Sequence, residues 1–80
     1  MKEYIATFHT HLSALLTSRK LTALSVRAQM MPVPRKLSSS CGTCVHYWAK
    51  EPHLAAMDAD VEAVYETGAD GECTRLLQND

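Results

Sequence analysis

Residues 25–48 read SVRAQMMPVPRKLSSSCGTCVHYW, two alternating segments with a proline-containing loop between them. Apolar and polar residues alternate from Ser25 to Met31, and the alternation resumes from Thr43 to Trp48. A period of two is typical of strands that bury one face. Pro32 and Pro34 cannot donate ladder hydrogen bonds, so the first strand is predicted to end there. The stretch therefore predicts two strands joined by a loop that runs from Pro32 to Gly42.

A strand and a helix are predicted before this stretch. Tyr4 to Phe8 is a short apolar run rich in strand formers, which indicates a strand. Thr10 is a good N-cap for a helix, because its hydroxyl can accept a hydrogen bond from a free backbone N–H. The helix then carries an apolar stripe at helical spacing, formed by Leu12, Leu15 and Leu16.

A second helix and a last strand are predicted after it. Pro52 suits the first turn of a helix, and Gly68 suits the position just past its end. Apolar residues recur between them at helical intervals: Leu54, Met57, Val61 and Val64. A short strand from Cys73 to Leu77 is predicted to follow.

The predicted order of elements is β-α-β-β-α-β, so we expect an α+β fold. This order is typical of a ferredoxin-like split β-α-β-β-α-β sandwich, with one four-stranded antiparallel sheet and two helices in a single domain over residues 1–80. Right-handed crossovers make strands one and two parallel, with strand three antiparallel between them. The end of strand one, the start of the first helix, the Pro32–Gly42 loop and the turn before Cys73 should then share one edge of the sheet.

Composition excludes several classes of function. The 80 residues carry eight basic and nine acidic side chains, a net charge of −1, which is no electrostatic footprint for nucleic acid or an anionic membrane. No secretory signal or membrane span is recognisable. Three cysteines cannot all pair within one chain, so we expect a reducing, cytoplasmic location. A partner or a second copy would cover any remaining hydrophobic face, which leaves a homodimer as an alternative.

Cys41 is the candidate catalytic residue, because it ends a stiff, basic, hydroxyl-rich loop. Arg35 and Lys36 would favour its thiolate form. The candidate ligand-binding residues are these two cations together with Ser38, Ser39, Ser40 and Gly42. The serines could donate to an anion, and Gly42 permits a close backbone approach or an unusual dihedral angle. The alternative is a buried thiol in a turn that the serines merely cap.

Other cysteines and histidines allow further readings. Cys41 and Cys44 have the spacing of a redox pair, but on a strand they would point to opposite faces about 10 Å apart. A zinc site from Cys41, Cys44, His46 and Cys73 lacks the second cysteine pair of the usual signature, so no metal is predicted. His9 and His11 flank the predicted helix start, where an imidazole can act as a base or a cap. Cys44, His9 and His11 are therefore auxiliary candidates.

The segment from Pro32 to Gly42 resembles the hallmark of a family of small bacterial proteins described as selenium or sulfur carrier protein-like. The resemblance implies that Cys41 carries a persulfide or selenopersulfide between a donor enzyme and an acceptor protein, without a cofactor. It favours a carrier or binding protein over a stand-alone enzyme. Cys44 and Cys73 do not belong to the pattern. Two alternatives stay open: a regulatory or binding module that holds an anionic ligand or partner at this loop, and a small metal-binding protein.

Overall fold

The sheet is built around a central strand, β1 (Lys2–Phe8). The structure is a computed structural model that describes residues 1–79. The other elements are α1 (His11–Ala23), β2 (Arg27–Pro32), β3 (Thr43–Ala49), a short 3₁₀ turn (Leu54–Ala56), β4 (Val61–Thr67) and β5 (Cys73–Gln78). The strands form one sheet in the order β2-β3-β1-β4-β5. Every neighbouring pair is antiparallel, so the fold is α+β with an antiparallel sheet, as predicted.

Four predicted strands are confirmed within a few residues, and so is the arrangement of the first three. β3 lies between β1 and β2 and is antiparallel to both, which makes β1 and β2 parallel. The alternation of apolar and polar residues on either side of the Pro32–Gly42 loop was sufficient to predict β2 and β3, because each strand buries one face and exposes the other.

The core lies between α1 and one face of the sheet. Tyr4, Ala6 and Phe8 alternate along β1 and are fully or almost fully buried. Tyr4 stacks on Tyr47 of the neighbouring strand, with ring centroids 5.1 Å apart. Leu21 of α1 closes the same cluster and is completely buried. Burial of these apolar side chains is the main force that holds the helix on the sheet.

α1 begins as the sequence predicts but buries a different face. Thr10 is the N-cap, and its hydroxyl accepts a hydrogen bond of 3.1 Å from the Ser13 N–H. The buried helical residues are Ser13, Ala14, Thr17 and Leu21, whereas Leu12 and Leu16 are 61% and 43% exposed. None of the helices within residues 1–79 has the length and apolar character needed to cross a membrane.

Two buried hydroxyl groups explain the orientation of α1. Ser13 Oγ donates to Asp58 Oδ2 at 2.7 Å, and the Asp58 N–H donates to Thr17 Oγ1 at 3.0 Å. These hydrogen bonds satisfy polar groups that would otherwise be costly to bury. They require the Ser13 and Thr17 side of the helix to face the segment that follows the 3₁₀ turn.

The predicted second helix is wrong, and a fifth strand replaces most of it. Only Leu54–Ala56 turns helically, and β4 begins at Val61. Because all of Tyr4–Phe8 is buried, β1 needs hydrogen-bonding partners along both of its edges. β4 supplies the second edge, and its valines and tyrosine suit a strand. The expected four-stranded sheet with two helices is therefore a five-stranded sheet with a single α-helix among the described residues, and a ferredoxin-like sandwich is not established.

One part of the predicted edge is also wrong. The turn before Cys73 joins β4 to β5, and the register pairs Thr67 with Glu3 near the start of β1. This turn therefore lies at the opposite end of β1 from Phe8. The prediction was wrong here because it lacked β4. With this additional strand, the chain reverses its direction once more than the predicted topology allows.

Candidate functional site

The loop between β2 and β3 is closed at its base and folded on itself. The Val33 N–H donates to the Gly42 carbonyl at 3.1 Å, and the Leu37 N–H donates to the Pro34 carbonyl at 3.0 Å. Gly42 has a φ of +73°, a left-handed conformation that costs an L side chain free energy. Of the two roles considered for this glycine, the unusual dihedral angle is the one observed.

Two of the three serines fasten the loop to the sheet. Ser39 Oγ donates to the Phe8 carbonyl at 2.8 Å. Ser40 Oγ donates to Glu62 Oε2 at 2.9 Å, and its backbone N–H lies 3.4 Å from Glu62 Oε1. Ser38 is exposed and makes no side-chain hydrogen bond within residues 1–79. The serines therefore hold the loop at the end of β1 and the start of β4.

Cys41 sits at the end of this fastened loop as a free, half-buried thiol. Its side chain packs against the edge of the hydrophobic core. Sγ donates to the Thr43 carbonyl at 3.4 Å, and Ser39 Oγ lies 3.9 Å from Sγ. Since the Ser39 proton is directed to the Phe8 carbonyl, neither of these two neighbours donates a hydrogen bond to Sγ.

His9 and His11 flank the start of α1, as the sequence predicts, and both lie beside the loop, but neither contacts Cys41 Sγ. His9 Nδ1 lies 3.4 Å from Ser40 Oγ and 3.6 Å from Glu62 Oε2, and its Nε2 lies 3.4 Å from a backbone carbonyl near the end of β5. His11 Nδ1 lies 3.3 Å from Thr43 Oγ1. The end of β1, the start of α1 and the loop are therefore neighbours, and the histidines contact Ser40 and Thr43, which precede and follow Cys41 in the chain.

The two loop cations do not reach the thiol. Lys36 Nζ donates to the Gly71 carbonyl in the β4–β5 turn. Arg35 is exposed and has no ion pair or side-chain hydrogen bond among residues 1–79. Between its contacts with Phe8 and Gly71, the loop spans much of the length of the sheet. No contact in the described part of the chain supports the expectation that these cations stabilise a Cys41 thiolate.

Cys44 and Cys73 lie in different surroundings from Cys41. Cys44 is completely buried in β3, and burial raises the pKa of its thiol to about 11. Cys73 begins β5 at the far end of the sheet, where its Sγ lies 3.9 Å from Thr67 Oγ1. All three cysteines are free. The proposed zinc ligands are not gathered, and residues 1–79 contain no cluster of three His, Cys, Asp or Glu side chains that could hold a metal.

Glu62 is a site residue that the sequence alone did not reveal. It lies within the segment predicted to be a helix, where its carboxylate would have been one of several on a solvated surface. Its role depends on β4 pairing with β1, which brings Glu62 beside Ser40 across 22 residues of sequence. An acidic residue near the start of a valine-rich run is too common a pattern to have identified it.

Comparisons with known proteins give one match. A family model described as "Putative Se/S carrier protein-like" matches residues 3–65, which include most of β1, α1, β2, the loop with Cys41, β3 and most of β4. Neither the comparison with curated proteins nor the comparison with solved structures found a match.

Proposed function

Because the chain belongs to the Se/S carrier protein-like family, we propose that it carries sulfur or selenium on Cys41. The observation that carries this proposal is the contrast between the two cysteines inside the matched residues 3–65. Cys44 is completely buried, whereas Cys41 is partly accessible at the end of a surface loop. Cys73 lies outside the matched region. A carrier thiol must be reachable by two partner proteins, and Cys41 meets that requirement best.

The proposed reaction is a thiol exchange that needs no external oxidant. The Cys41 thiolate attacks the outer sulfur of a donor persulfide, a new S–S bond forms on Cys41, and the donor's own S–S bond breaks. The donor leaves as a thiolate, and Cys41 becomes a persulfide. With selenium, the attacked atom is the outer selenium of a selenopersulfide. An S–Se bond then forms on Cys41 as the donor's own S–Se bond breaks. Repetition of the exchange on an acceptor thiol regenerates Cys41.

Transfer requires Cys41 to turn away from its present hydrogen bond. A thiolate cannot donate to the Thr43 carbonyl, and that carbonyl oxygen would repel its charge. We expect the deprotonated side chain to rotate towards solvent, where a partner supplies hydrogen-bond donors. Ser39, Ser40 and Gly42 act in this proposal as the scaffold that holds the loop while the thiol rotates.

The proposed partners are a donor enzyme and an acceptor protein, in a reducing compartment such as the cytoplasm that keeps three thiols free. Arg35 is exposed and unpaired among residues 1–79, so its guanidinium is available to a carboxylate of the partner. Ser38, three residues further along the loop, is also exposed and open to a partner contact. The protein acts here as a carrier and needs no cofactor of its own.

The alternative of a loop that binds an anionic ligand is weaker. An anion would need the Ser40 hydroxyl and N–H, and both already face the Glu62 carboxylate. A negatively charged ligand would have to displace Glu62 or lie beside it, which like-charge repulsion opposes. Nothing else in the described loop favours this function over the carrier.

Sulfur loading tests the proposal directly. Reduced protein is incubated with a cysteine desulfurase, cysteine and the cofactor which that enzyme needs, and the added mass is mapped by peptide. We expect one added sulfur on Cys41 that reductant removes. A selenium donor in place of cysteine would show whether the heavier atom is accepted on the same residue.

Three variants make the loading experiment specific. Cys41→Ser should not be loaded, whereas Cys44→Ser and Cys73→Ser should be loaded as well as the unaltered protein. Labelling that avoids Cys41, or that falls equally on all three thiols, would contradict the proposal. Desulfurases of several types are needed, since a carrier can require its own donor.

A further inference from the structure

α1 exposes leucine side chains and buries hydroxyl groups, which is the reverse of the usual arrangement in a helix that packs on a core. Leu12 and Leu16 are 61% and 43% exposed. Ser13 and Thr17 are each only 1% exposed, and both are held inside by hydrogen bonds with Asp58. Residues four apart lie on the same side of a helix, so the two leucines are neighbours that remain in contact with solvent.

The exposed side of α1 continues beyond these two leucines. Arg19 and Ala23 follow Leu16 by three and seven residues, which places them on the same side of the helix, and both are exposed. We call Leu12, Leu16 and Ala23 the leucine strip. Arg19 interrupts it, but the aliphatic stem of an arginine can lie on apolar surface while its charge stays in water. A continuous apolar strip on the surface is typical of a contact with another protein.

An acidic segment lies beside the start of α1. Ser13 Oγ in the first turn donates to Asp58 Oδ2 at 2.7 Å, and the His9 N–H just before the helix donates to the Asp60 carbonyl at 3.0 Å. The Asp60 residue is exposed. Within residues 1–79 its carboxylate forms no ion pair and accepts no hydrogen bond. Asp60 therefore offers a negative charge for an intermolecular contact near the N-terminal end of the strip.

The cations of α1 lie towards its other end. Arg19 and Lys20 are both exposed, and neither forms an ion pair with another described residue. Lys20 follows Ser13 by seven residues, or about two helical turns. Lys20, Leu16 and Ala59 border one groove, so Lys20 and the acidic segment lie on the same side of the helix. The charge beside the leucine strip therefore changes from negative to positive along α1.

This distribution of charge is complementary to a second copy of the same surface turned end for end. A purely acidic partner would pair with the cations but would repel Asp60, and a purely basic partner would do the reverse. An antiparallel copy presents a cation to each acidic segment. A two-fold axis perpendicular to the helices also keeps both acidic segments on the same side of the pair, which is the side where both lysines lie.

We propose that two copies of this chain pair through α1, with the helices antiparallel and centred on Leu16. Each Leu16 then packs against the Leu16 of the second copy, and each Leu12 packs on the aliphatic stem of the second copy's Lys20. The ammonium group of each Lys20 reaches the Asp60 carboxylate of the other copy, so the ion pair is made twice. Removal of the leucines from water drives the association. The strip does not include Cys41 or its loop, so the pairing is independent of the carrier function.

Sedimentation equilibrium of the full chain tests the proposal. Reductant prevents the three free thiols from cross-linking two chains. A helix of 13 residues offers a small interface, so we expect a reversible dimer that forms as the protein concentration rises. The average mass should increase from one chain towards two, and no further, by about 1 mM. A monomer throughout this range, or a mass that rises beyond two chains, would overturn the proposal.

Two exposed leucines provide a matched pair of variants. Leu16→Glu should weaken dimerisation at least about tenfold, because each copy loses a buried leucine contact and gains a charge at the centre of the interface. Leu76→Glu is the control: Leu76 is 39% exposed, close to the 43% of Leu16, but lies on the edge strand β5. This variant should dimerise like the unaltered protein. Equal dimerisation by the two variants would contradict pairing through α1.

A reversal of charges tests the antiparallel arrangement. Lys20→Glu and Asp60→Lys should each weaken the dimer by at least about threefold, because each brings like charges together twice. The double variant Lys20→Glu/Asp60→Lys has opposite charges at both contacts again and should dimerise as strongly as the unaltered protein. Circular dichroism checks that each variant keeps its fold. Single variants without effect, or single effects that add in the double variant instead of cancelling, would overturn the proposal.

A measurement on the unaltered chain keeps the proposal testable where a variant fails to fold. Backbone amide signals of α1 in nuclear magnetic resonance spectra should shift as the concentration rises to about 1 mM, whereas those of β5 should stay in place. Signals of α1 that do not move, or shifts confined to the strands, would also overturn the proposal.

Discussion

Ser40 and Glu62 form a two-point contact that fastens the Cys41 loop to β4. The Ser40 hydroxyl donates to Glu62 Oε2 at 2.9 Å, and the Ser40 N–H lies 3.4 Å from Glu62 Oε1. His9 Nδ1 lies 3.6 Å from Glu62 Oε2 and 3.4 Å from Ser40 Oγ, so it supports the same contact. The residue directly before the proposed carrier thiol is thus tied to a strand that is distant in sequence.

Replacement of Glu62 by alanine should loosen this loop without unfolding the protein. Because the contact is at the surface, we expect a loss of less than about 1 kcal/mol in the free energy of unfolding. Alkylation of Cys41 by iodoacetamide should become faster, since Ser40 no longer anchors its neighbour. Glu66→Ala is the matched control: Glu66 lies on the same strand, and within residues 1–79 its carboxylate pairs only with Lys2, at 3.7 Å. An equal increase in both variants would argue against a local effect of Glu62.

Replacement of Gly42 by alanine should destabilise the protein by about 1–2 kcal/mol. The cost is conformational, because Gly42 has a φ of +73° and an added Cβ would meet no atom within 4 Å. Urea denaturation measures the loss. Gly42→Asn should lose less, since asparagine tolerates left-handed backbone better than alanine does. Ser38→Ala, at an exposed residue of the same loop, should have almost no effect; a loss as large as that of Gly42→Ala would contradict the conformational explanation.

Alkylation should distinguish the three thiols of the native protein. Cys44 should react slowest at neutral pH, because it is completely buried and burial raises the pKa of its thiol to about 11. We expect Cys41 to react fastest, and peptide mass spectrometry at several times gives the three rates. In denaturant the rates should converge. Native Cys44 that reacts as fast as Cys41 would remove the main distinction on which the choice of carrier thiol rests.

Asp58 should make stability depend on pH in the acidic range. The hydrogen bond from Ser13 Oγ, together with backbone N–H groups of Asp60 and Ala59, holds the pKa of the Asp58 carboxyl below its usual value. The unfolded pKa is about 3.9, so the stabilisation is fully present above that pH and is lost as the pH falls through the lower folded value.

The measurement is urea denaturation from neutral pH down to about one unit below the unfolded pKa of 3.9. Asp58→Asn should be less stable than the unaltered protein at neutral pH, and the difference should shrink as the medium becomes acidic. Asp60→Asn is the control, because the Asp60 carboxylate accepts no hydrogen bond within residues 1–79. A difference for Asp58→Asn that grows on acidification would show that the sign of the linkage is wrong.

Some of the fold could be predicted because it depends on patterns within short segments. The alternation in Ser25–Met31 and Thr43–Trp48 reflects one buried and one exposed face, and β2 and β3 follow it. Thr10 caps α1 by accepting a hydrogen bond from the Ser13 N–H, only three residues away, so this cap can be predicted from the local sequence. The juxtaposition of the loop with Phe8 and His9 followed from the order of these first three strands.

The segment from Leu54 to Val64 shows why the rest could not be predicted. Its apolar spacing suits a helix, but the same valines suit a strand, and the sequence does not decide between them. The decision comes from β1, whose buried backbone needs a partner on its second edge, and from Asp58, which bonds to Ser13 and Thr17 of α1.

By itself, the sequence determined the strands on either side of the Pro32–Gly42 loop, the start of α1 and Cys41 as the candidate thiol. Only the tertiary structure decided that Cys44 is buried, that Glu62 anchors Ser40, and that Leu16 is exposed. The physical reason is the range of the interactions. Caps, turns and alternation act over a few residues, whereas burial and strand pairing depend on partners elsewhere in the chain.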